Sequence, residues 1–224
     1  MSLIAAMLIT ASCISISKME FIIIPDSETP MTMTPALFTN VPEGLIEELG
    51  VEEGIPSSLC AFFVRKDGKN ILFDSGNGAD DSQLIPTLES IGINPEDIDY
   101  VFITHLHGDH IGGMVKDGQA VFSNATVFLN KDEYDGWGNV DESPMGQAYG
   151  HTPGHTMYRI DDIVIAGDLM HATALQLENP ESCARFDMDK EKSAQTRKSA
   201  LESFKEEGLK VYGMHFPDPY YIQF

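Results

Sequence analysis

The sequence is poor in cysteine and in basic residues, and both shortages exclude classes of protein. Its three cysteines, at positions 13, 60 and 183, form no Cys-x-x-Cys pair, which excludes a thiolate zinc knuckle and a thioredoxin-type redox site. Only 14 Lys and Arg residues stand against 35 Asp and Glu residues, a formal net charge of −21. Because this charge repels phosphate, we expect no nucleic acid as a partner or substrate.

Long hydrophobic runs are also lacking, and none reaches the roughly 18 residues of a membrane-spanning helix. Residues 3–9 are apolar like the centre of a signal peptide, and Thr10–Cys13 resembles a lipoprotein processing site. No Lys or Arg precedes Lys18, however, and a first β-strand is the alternative. We therefore expect residues 1–17 to be a truncated signal or lipoprotein segment or a first strand. Export, periplasmic or lipid-anchored, is favoured over a cytoplasmic location.

The 224 residues are enough for one domain, expected over 18–224, that buries on the order of 70% of its unfolded surface. Asp67-Gly68 between two apolar runs predicts a β-hairpin. Apolar runs and turn residues predict strands over 18–24, 58–64, 70–74, 100–104, 120–129, 160–166 and 210–214. Helices are predicted near 44–49 and over 82–91 and 189–207. This mixture predicts sheets covered by helices.

Histidine is confined to one part of the chain, because none of the first 104 residues is histidine. Surface histidines placed by chance would not segregate in this way. The seven are His105, His107, His110, His151, His155, His171 and His215. We therefore expect several of them to share one site.

The densest group is the motif Thr104-His-Leu-His-Gly-Asp-His-Ile-Gly-Gly113, directly after an apolar strand. His105 and His107 are two residues apart on an extended segment, so their imidazoles point the same way. Gly108 then turns the chain, and Asp109 and His110 follow at a helix start. These four side chains can converge on two neighbouring centres. Histidine and carboxylate ligands without cysteine suit Zn, Mn or Fe.

The motif resembles the H-x-H-x-D-H signature of the metallo-β-lactamase-fold superfamily of hydrolases. Four further motifs of that superfamily follow in its order: Asp74-Ser-Gly76, Thr152-Pro-Gly-His-Thr156, Ala166-Gly-Asp168 and Gly213-Met-His215. The resemblance covers about residues 58–217. It implies an α+β fold of the αββα type, in which two mixed β-sheets pack face to face between helices and carry the site at one edge.

The resemblance also implies seven ligands for two divalent ions, which we expect to be zinc, with Mn or Fe as alternatives. Those of the first ion are His105, His107 and His155; those of the second are Asp109, His110 and His215, and Asp168 bridges both. Asp74 is expected to orient a ligand histidine or to act as a turn residue beside Gly76. We expect His151 to support the site or to lie at the surface, outside the ligand set.

The activity implied is that of a dinuclear metal-dependent hydrolase that cleaves an ester-like bond in a small molecule, with opening of a lactone ring favoured. Asp109 would carry a proton to the leaving alkoxide. His171 follows Asp168 by three residues, where lactonase-like relatives often carry a tyrosine that contacts the substrate oxygen. We expect His171 to be a catalytic hydrogen-bond donor or a packing residue.

Alternatives remain open for both the substrate and the reaction. The same site would serve an organophosphate, aryl ester or thioester hydrolase, or the fold could carry a mononuclear iron oxygenase or a non-catalytic metal-binding protein. A nuclease of this superfamily would need a longer chain and a less negative surface. The stretch from Phe128 to Tyr149 is shorter than in the lactonase-like and parathion-hydrolase-like members, which leaves the substrate pocket undefined. A homodimer is one expected assembly.

Overall fold

The computed structural model describes residues 19–137 and 150–224. The expectation for residues 1–17 lies outside this part of the chain, as does most of the shortened stretch 129–149. The strands are β1 Glu20–Pro25, β2 Met31–Met33, β3 Phe38–Thr39, β4 Ile55–Ser57, β5 Cys60–Lys66, β6 Lys69–Phe73, β7 Tyr100–Phe102, β8 Val115–Lys116, β9 Gln119–Ala120, β10 Thr126–Phe128, β11 Tyr158–Ile160, β12 Ile163–Ile165, β13 Cys183–Ala184, β14 Lys210–Tyr212 and β15 Tyr221–Gln223. The helices are α1 Leu45–Leu49, α2 Leu84–Ser90, α3 Gly108–Ile111, α4 Lys131–Trp137, α5 Thr173–Gln176 and α6 Lys190–Glu207. No helix in the described ranges is long and apolar enough to cross a membrane.

The first sheet has five strands in the order β1-β5-β6-β7-β10. β1, β5 and β6 are antiparallel neighbours, whereas β6, β7 and β10 run parallel. The turn between β5 and β6 places Asp67 at φ 51° and Gly68 at φ 74°, both in the left-handed region. Asp-Gly is suited to such a two-residue turn, and the predicted hairpin is confirmed.

The second sheet has four strands in the order β11-β12-β14-β15. β12 and β14 are parallel, so their carboxyl ends lie side by side at one edge of the sheet. The sequence did not predict β15, which pairs antiparallel with β14 after a short loop. β14 is therefore a central strand and not the last strand of the sheet.

Two layers of helix cover the two sheets, which confirms the αββα architecture. Between the sheets, Phe62 and Phe73 of the first pack with Ile165 and Tyr212 of the second. The outer face of the first sheet packs against Leu84 and Leu88 of α2. The outer face of the second packs against three residues of α6, namely Ala200, Leu201 and Phe204.

The structure refines several predicted elements. α6 begins after Asp189, whose carboxylate accepts the Lys192 amide, and it ends at Gly208 in the left-handed region at φ 67°. Of the two adjacent basic residues of α6, Arg197 is fully buried and Lys198 is exposed. Within the strand predicted over 120–129, the structure forms β10 and the last residue of β9, Ala120.

Candidate metal centre

The site lies at one edge of the sandwich, where several strands end. His105 and His107 follow β7, while Asp168 and His215 follow the adjacent parallel strands β12 and β14. His151 comes from the loop that precedes β11. Carboxyl ends of parallel strands meet at the same edge of a sheet, which explains why side chains more than 100 positions apart converge here.

One group of ring nitrogens forms the deeper part of the site. His105 Nε2 lies 2.9 Å from His107 Nδ1, and His151 Nε2 lies 3.2 Å from the former and 3.0 Å from the latter. Asp168 Oδ2 is 3.6 Å from His105 Nε2 and 3.3 Å from His151 Nε2. We call His105, His107 and His151 the three-histidine group.

The structure corrects the expectation for His155. It is buried beside the group, but its Nε2 accepts a hydrogen bond of 2.9 Å from the Asp168 backbone amide, and it is absent from the described clusters that could hold an ion. His151 occupies the place expected of His155. His151 Nε2 reaches ring nitrogens of both His105 and His107, whereas the His155 ring packs edge-on against that of His105 at 5.3 Å between centroids.

A second group adjoins the first across Asp168. Ligand-type atoms of Asp109, His110 and His215 lie within 4.8 Å of one another. His110 Nε2 is 3.1 Å from Asp168 Oδ1, and His215 Nε2 is 3.3 Å from Asp168 Oδ2. We call Asp109, His110 and His215 the mixed group. Asp168 touches both groups, as expected of a bridging carboxylate.

Both groups fit divalent cations. Ligand atoms about 2.1 Å from a tetrahedral zinc ion lie roughly 3.4 Å apart, close to the separations found here. His110 Nε2 and Asp168 Oδ1 are buried and, within the described chain, have no hydrogen-bond partner although they face each other. Such groups are costly to leave unsatisfied, and a shared cation between them removes that cost.

The charges of the site centre on Asp168. Burial opposes its ionisation, but the surrounding imidazoles, led by His215 and His110, hold the pKa of Asp168 well below its usual range. Burial also lowers the pKa of His171 to about 4 despite the neighbouring carboxylate. For His151, burial is outweighed by the carboxylates of Asp168 and Asp187, which raise its pKa to about 9. The site thus holds a buried anion among crowded imidazoles, an arrangement that a bound cation stabilises.

Further contacts orient the rings. Asp74 Oδ2 lies 2.8 Å from His110 Nδ1, the contact that an orienting residue would make, and the two Asp74 oxygens accept the Thr104 amide and hydroxyl. His215 Nδ1 lies 3.0 Å from the Ser58 carbonyl oxygen. Asp187, which sequence reasoning missed, lies 2.9 Å from His151 Nδ1. No motif surrounds Asp187, so no pattern could have singled it out.

His171 lies inside the cluster. It is buried, its Nε2 is 3.1 Å from Asp168 Oδ2, and its ring stacks on that of His215 at 5.2 Å between centroids. Neither ring nitrogen has a hydrogen-bond partner in the described chain. The ring therefore has free polar capacity at the metal-binding face.

A cavity of about 420 Å³ opens onto the site. His107, Asp109, Asp168, His171 and His215 line its floor. Its walls are mainly apolar, formed by Met31, Met33, Leu59 and Phe186. No lysine or arginine from residues 19–137 and 150–224 lines it.

Parts of the sequence are similar to a known family and to known proteins. A model of the metallo-beta-lactamase superfamily matches residues 60–116. Among curated proteins, a ribonuclease Z of Nanoarchaeum equitans is 41% identical over 73 residues, which are 31% of this chain and 22% of the relative. The chain thus aligns with only about a fifth of that relative's length.

Two solved structures are similar over nearly the whole chain. A hydrolase of the beta lactamase superfamily has a TM-score of 0.80 and 26% identity, over 92% of this chain and 89% of the other. A dizinc quorum-quenching lactonase in complex with a product has a TM-score of 0.81 and 21% identity, over 94% of this chain and 92% of the other. The second likeness shows a shared fold.

Proposed function

We propose that this chain, as a member of the metallo-beta-lactamase superfamily, is a metal-dependent hydrolase and that it opens an uncharged lactone at a two-metal centre. The ions would be held by the three-histidine group and the mixed group, with Asp168 between them. Zinc is the proposed metal, since the donors are nitrogen and oxygen without sulfur and one similar structure is a dizinc enzyme.

The observation that carries this proposal is the lining of the cavity. Its volume of about 420 Å³ suits a small molecule, and its Met31, Met33, Leu59 and Phe186 walls favour an apolar substituent. Substrates with several phosphates need basic side chains, which the described lining lacks, on a chain of formal net charge −21. An uncharged cyclic ester needs no basic side chain and is not repelled by the negative charge of the chain.

Divalent cations at this centre would polarise the ester carbonyl and lower the pKa of a water molecule. The chain's own groups would then manage the proton and the substrate oxygen. Asp109, whose side chain is 38% exposed at the cavity floor, would take a proton from the attacking water and return it to the leaving alkoxide. His171 would donate a hydrogen bond to the oxygen that becomes negative.

A phosphoester is the second candidate substrate. It is favoured by the ribonuclease Z from Nanoarchaeum equitans, although that match covers 22% of the relative. The same metal-binding groups could serve carboxylic esters and phosphoesters alike. The described cavity lining favours the uncharged ester.

A substrate panel on the zinc-loaded full chain tests the proposal. It would compare kcat/KM for lactones with short and long acyl substituents, aryl esters, thioesters, phosphotriesters and bis(p-nitrophenyl) phosphate. An Asp168→Ala preparation, purified identically, would measure contaminating activity. We expect the largest kcat/KM for a lactone with an apolar substituent. A larger value for a phosphoester would overturn the lactone proposal.

A further inference from the structure

Helix α4 carries a buried carboxylate that belongs to neither metal-binding group. Glu133 is fully buried, and its two oxygens accept four hydrogen bonds. All four donors are neutral: the amides of Leu106 and Gly154, the hydroxyl of Thr152 and the indole of Trp137. Burying a carboxylate costs free energy, and the four donors offset that cost. We therefore expect the buried position of Glu133 to serve a purpose.

The two oxygens of Glu133 reach two different ligand loops. Oε1 accepts the Leu106 amide at 2.9 Å, and Leu106 stands between His105 and His107. Oε2 accepts the Thr152 hydroxyl at 2.7 Å, and Thr152 follows His151. One side chain therefore ties together the two segments that supply the three-histidine group.

The packing around Glu133 leaves little room for the loops to separate from α4. A Cβ on Gly154 would lie 2.1 Å from the Glu133 nitrogen, and a Cβ on Gly136 would lie 2.6 Å from the Pro153 Cβ. The loop and the helix thus meet at van der Waals contact through two glycines. In such close packing, the hydrogen bonds to the carboxylate fix the position of both loops relative to α4.

We propose that Glu133 is a positioning residue that fixes the distance between the His105–His107 pair and His151, and so determines the affinity of the three-histidine group for a divalent cation. This role rests on the proposed function, in which that group holds a metal ion. Glu133 contacts no ring nitrogen itself. It acts on the backbone next to the ligands, which is how supporting residues tune a metal site.

The chain contains one reporter of this group. Trp137 is the only tryptophan, and the centroid of its ring lies 5.9 Å from that of His107. Zinc binding at the three-histidine group should therefore change the fluorescence of Trp137. Competition with a chromophoric chelator gives the zinc Kd independently of fluorescence and of enzymatic activity.

The central experiment compares the zinc Kd of the full-length wild type with that of Glu133→Gln. The substitution keeps the size of the side chain but turns an NH2 group toward donors that need an acceptor, so we expect Kd to rise about 10- to 100-fold. Thr152→Val removes a single donor and keeps the shape, which covers the case in which Glu133→Gln does not fold. It should raise Kd by less and add little to Glu133→Gln in the double variant.

Asp26→Asn is the matched control. Asp26 is another buried carboxylate with neutral donors, the Asn77 and Leu84 amides and the Ser82 hydroxyl, and it does not bridge the two ligand loops. We expect it to lower the Tm of the metal-free protein, as Glu133→Gln does, but to leave the Kd of the first zinc ion unchanged. A role in stability alone would predict equal effects of both variants on Kd.

Wild-type Kd values in both Glu133→Gln and Thr152→Val would overturn the positioning role while leaving the metal site intact. Failure of the wild type to bind any divalent ion would instead overturn the proposed metal centre. The two failures are therefore distinguishable by the wild-type titration.

Discussion

The three-histidine group and the mixed group share Asp168 but are supported in different ways. In the mixed group, the histidine rings are oriented by direct contacts: Asp74 and the Thr104 hydroxyl for His110, and the Ser58 carbonyl for His215. The three-histidine group is held by a wider network, in which Asp187 contacts His151 and the buried Arg197 lies 3.5 Å from Asp187.

The groups do not differ in burial, because each combines two buried histidines, His105 and His151 or His110 and His215, with one half-buried member. They differ in the chemistry of that member. It is the His107 ring in the three-histidine group and the Asp109 carboxylate, whose side chain is 38% exposed, in the mixed group. This difference is the reason why proton transfer is proposed for Asp109 of the mixed group.

The largest effect is expected when the residue common to both groups is removed. Asp168→Ala should lower turnover more than about a thousandfold and reduce the zinc content from two equivalents to at most one, because both groups lose a ligand. Elemental analysis and kcat measure the two outcomes. Asp162→Ala, at an exposed position, is the control. An Asp168→Ala enzyme with two ions and near-normal turnover would contradict the bridge.

The next test separates the two histidines of the 150–156 loop. His151→Ala should lose the ion of the three-histidine group and lower turnover by more than about a hundredfold, beyond the usual cost of a supporting residue. His155→Ala removes the acceptor of the Asp168 amide and leaves both groups of ligand-type side chains in place, so it should keep two ions and lose about tenfold in turnover. Zinc content of the two variants shows which histidine is the ligand. Loss of one ion in His155→Ala but not in His151→Ala would identify His155 as the ligand.

His171→Ala tests the residue that lies between both groups and the cavity. If His171 stabilises the developing oxyanion, kcat and kcat/KM should fall together by roughly 10- to 1,000-fold with no change in zinc content. His171→Tyr should recover part of the rate, since a phenol also donates. Loss of one zinc ion in His171→Ala would identify His171 as a ligand. Unchanged kinetics and metal content would leave it a packing residue.

The smallest expected effects compare the two orienting carboxylates. Asp74→Asn should weaken the ion of the mixed group, and Asp187→Asn that of the three-histidine group, each by about 10- to 100-fold in zinc Kd. Stepwise zinc titration followed through Trp137 fluorescence distinguishes the positions, because the Trp137 ring contacts His107 of the three-histidine group and, in the described chain, no ring of the mixed group. Equal effects of both variants on the Trp137 signal would mean that the two groups are not supported separately.

The sequence predicted the fold class, and it singled out most of the side chains that cluster in the structure, for specific reasons. The segment from His105 to His110 combines an extended stretch, a glycine turn and a helix start, so local geometry alone brings its ligand-type side chains together. Asp168 and His215 each follow an apolar strand, where a polar side chain needs a function. Each of these predictions used only residues that are adjacent in the sequence.

The confusion of His151 with His155 has a physical cause. Both stand in the same local sequence, Gly-His-Thr, in the run Gly150-His-Thr-Pro-Gly-His-Thr156. Nothing local distinguishes them. The choice is made by the path of the loop, which is held against α6 by Gly150, where a Cβ would lie 2.1 Å from the Ser193 nitrogen, and against α4 by Gly154.

What the sequence by itself determined is the kind of chemistry: histidine and carboxylate donors without cysteine, the order of strands that presents them, and a charge unfavourable to polyanions. The tertiary structure alone decided which histidine completes the three-histidine group, and it revealed Glu133, Asp187 and Arg197 as the residues behind it. Donor type and strand order follow from local patterns. Contacts such as those of Glu133 with the two ligand loops join distant parts of the chain, and only packing determines them.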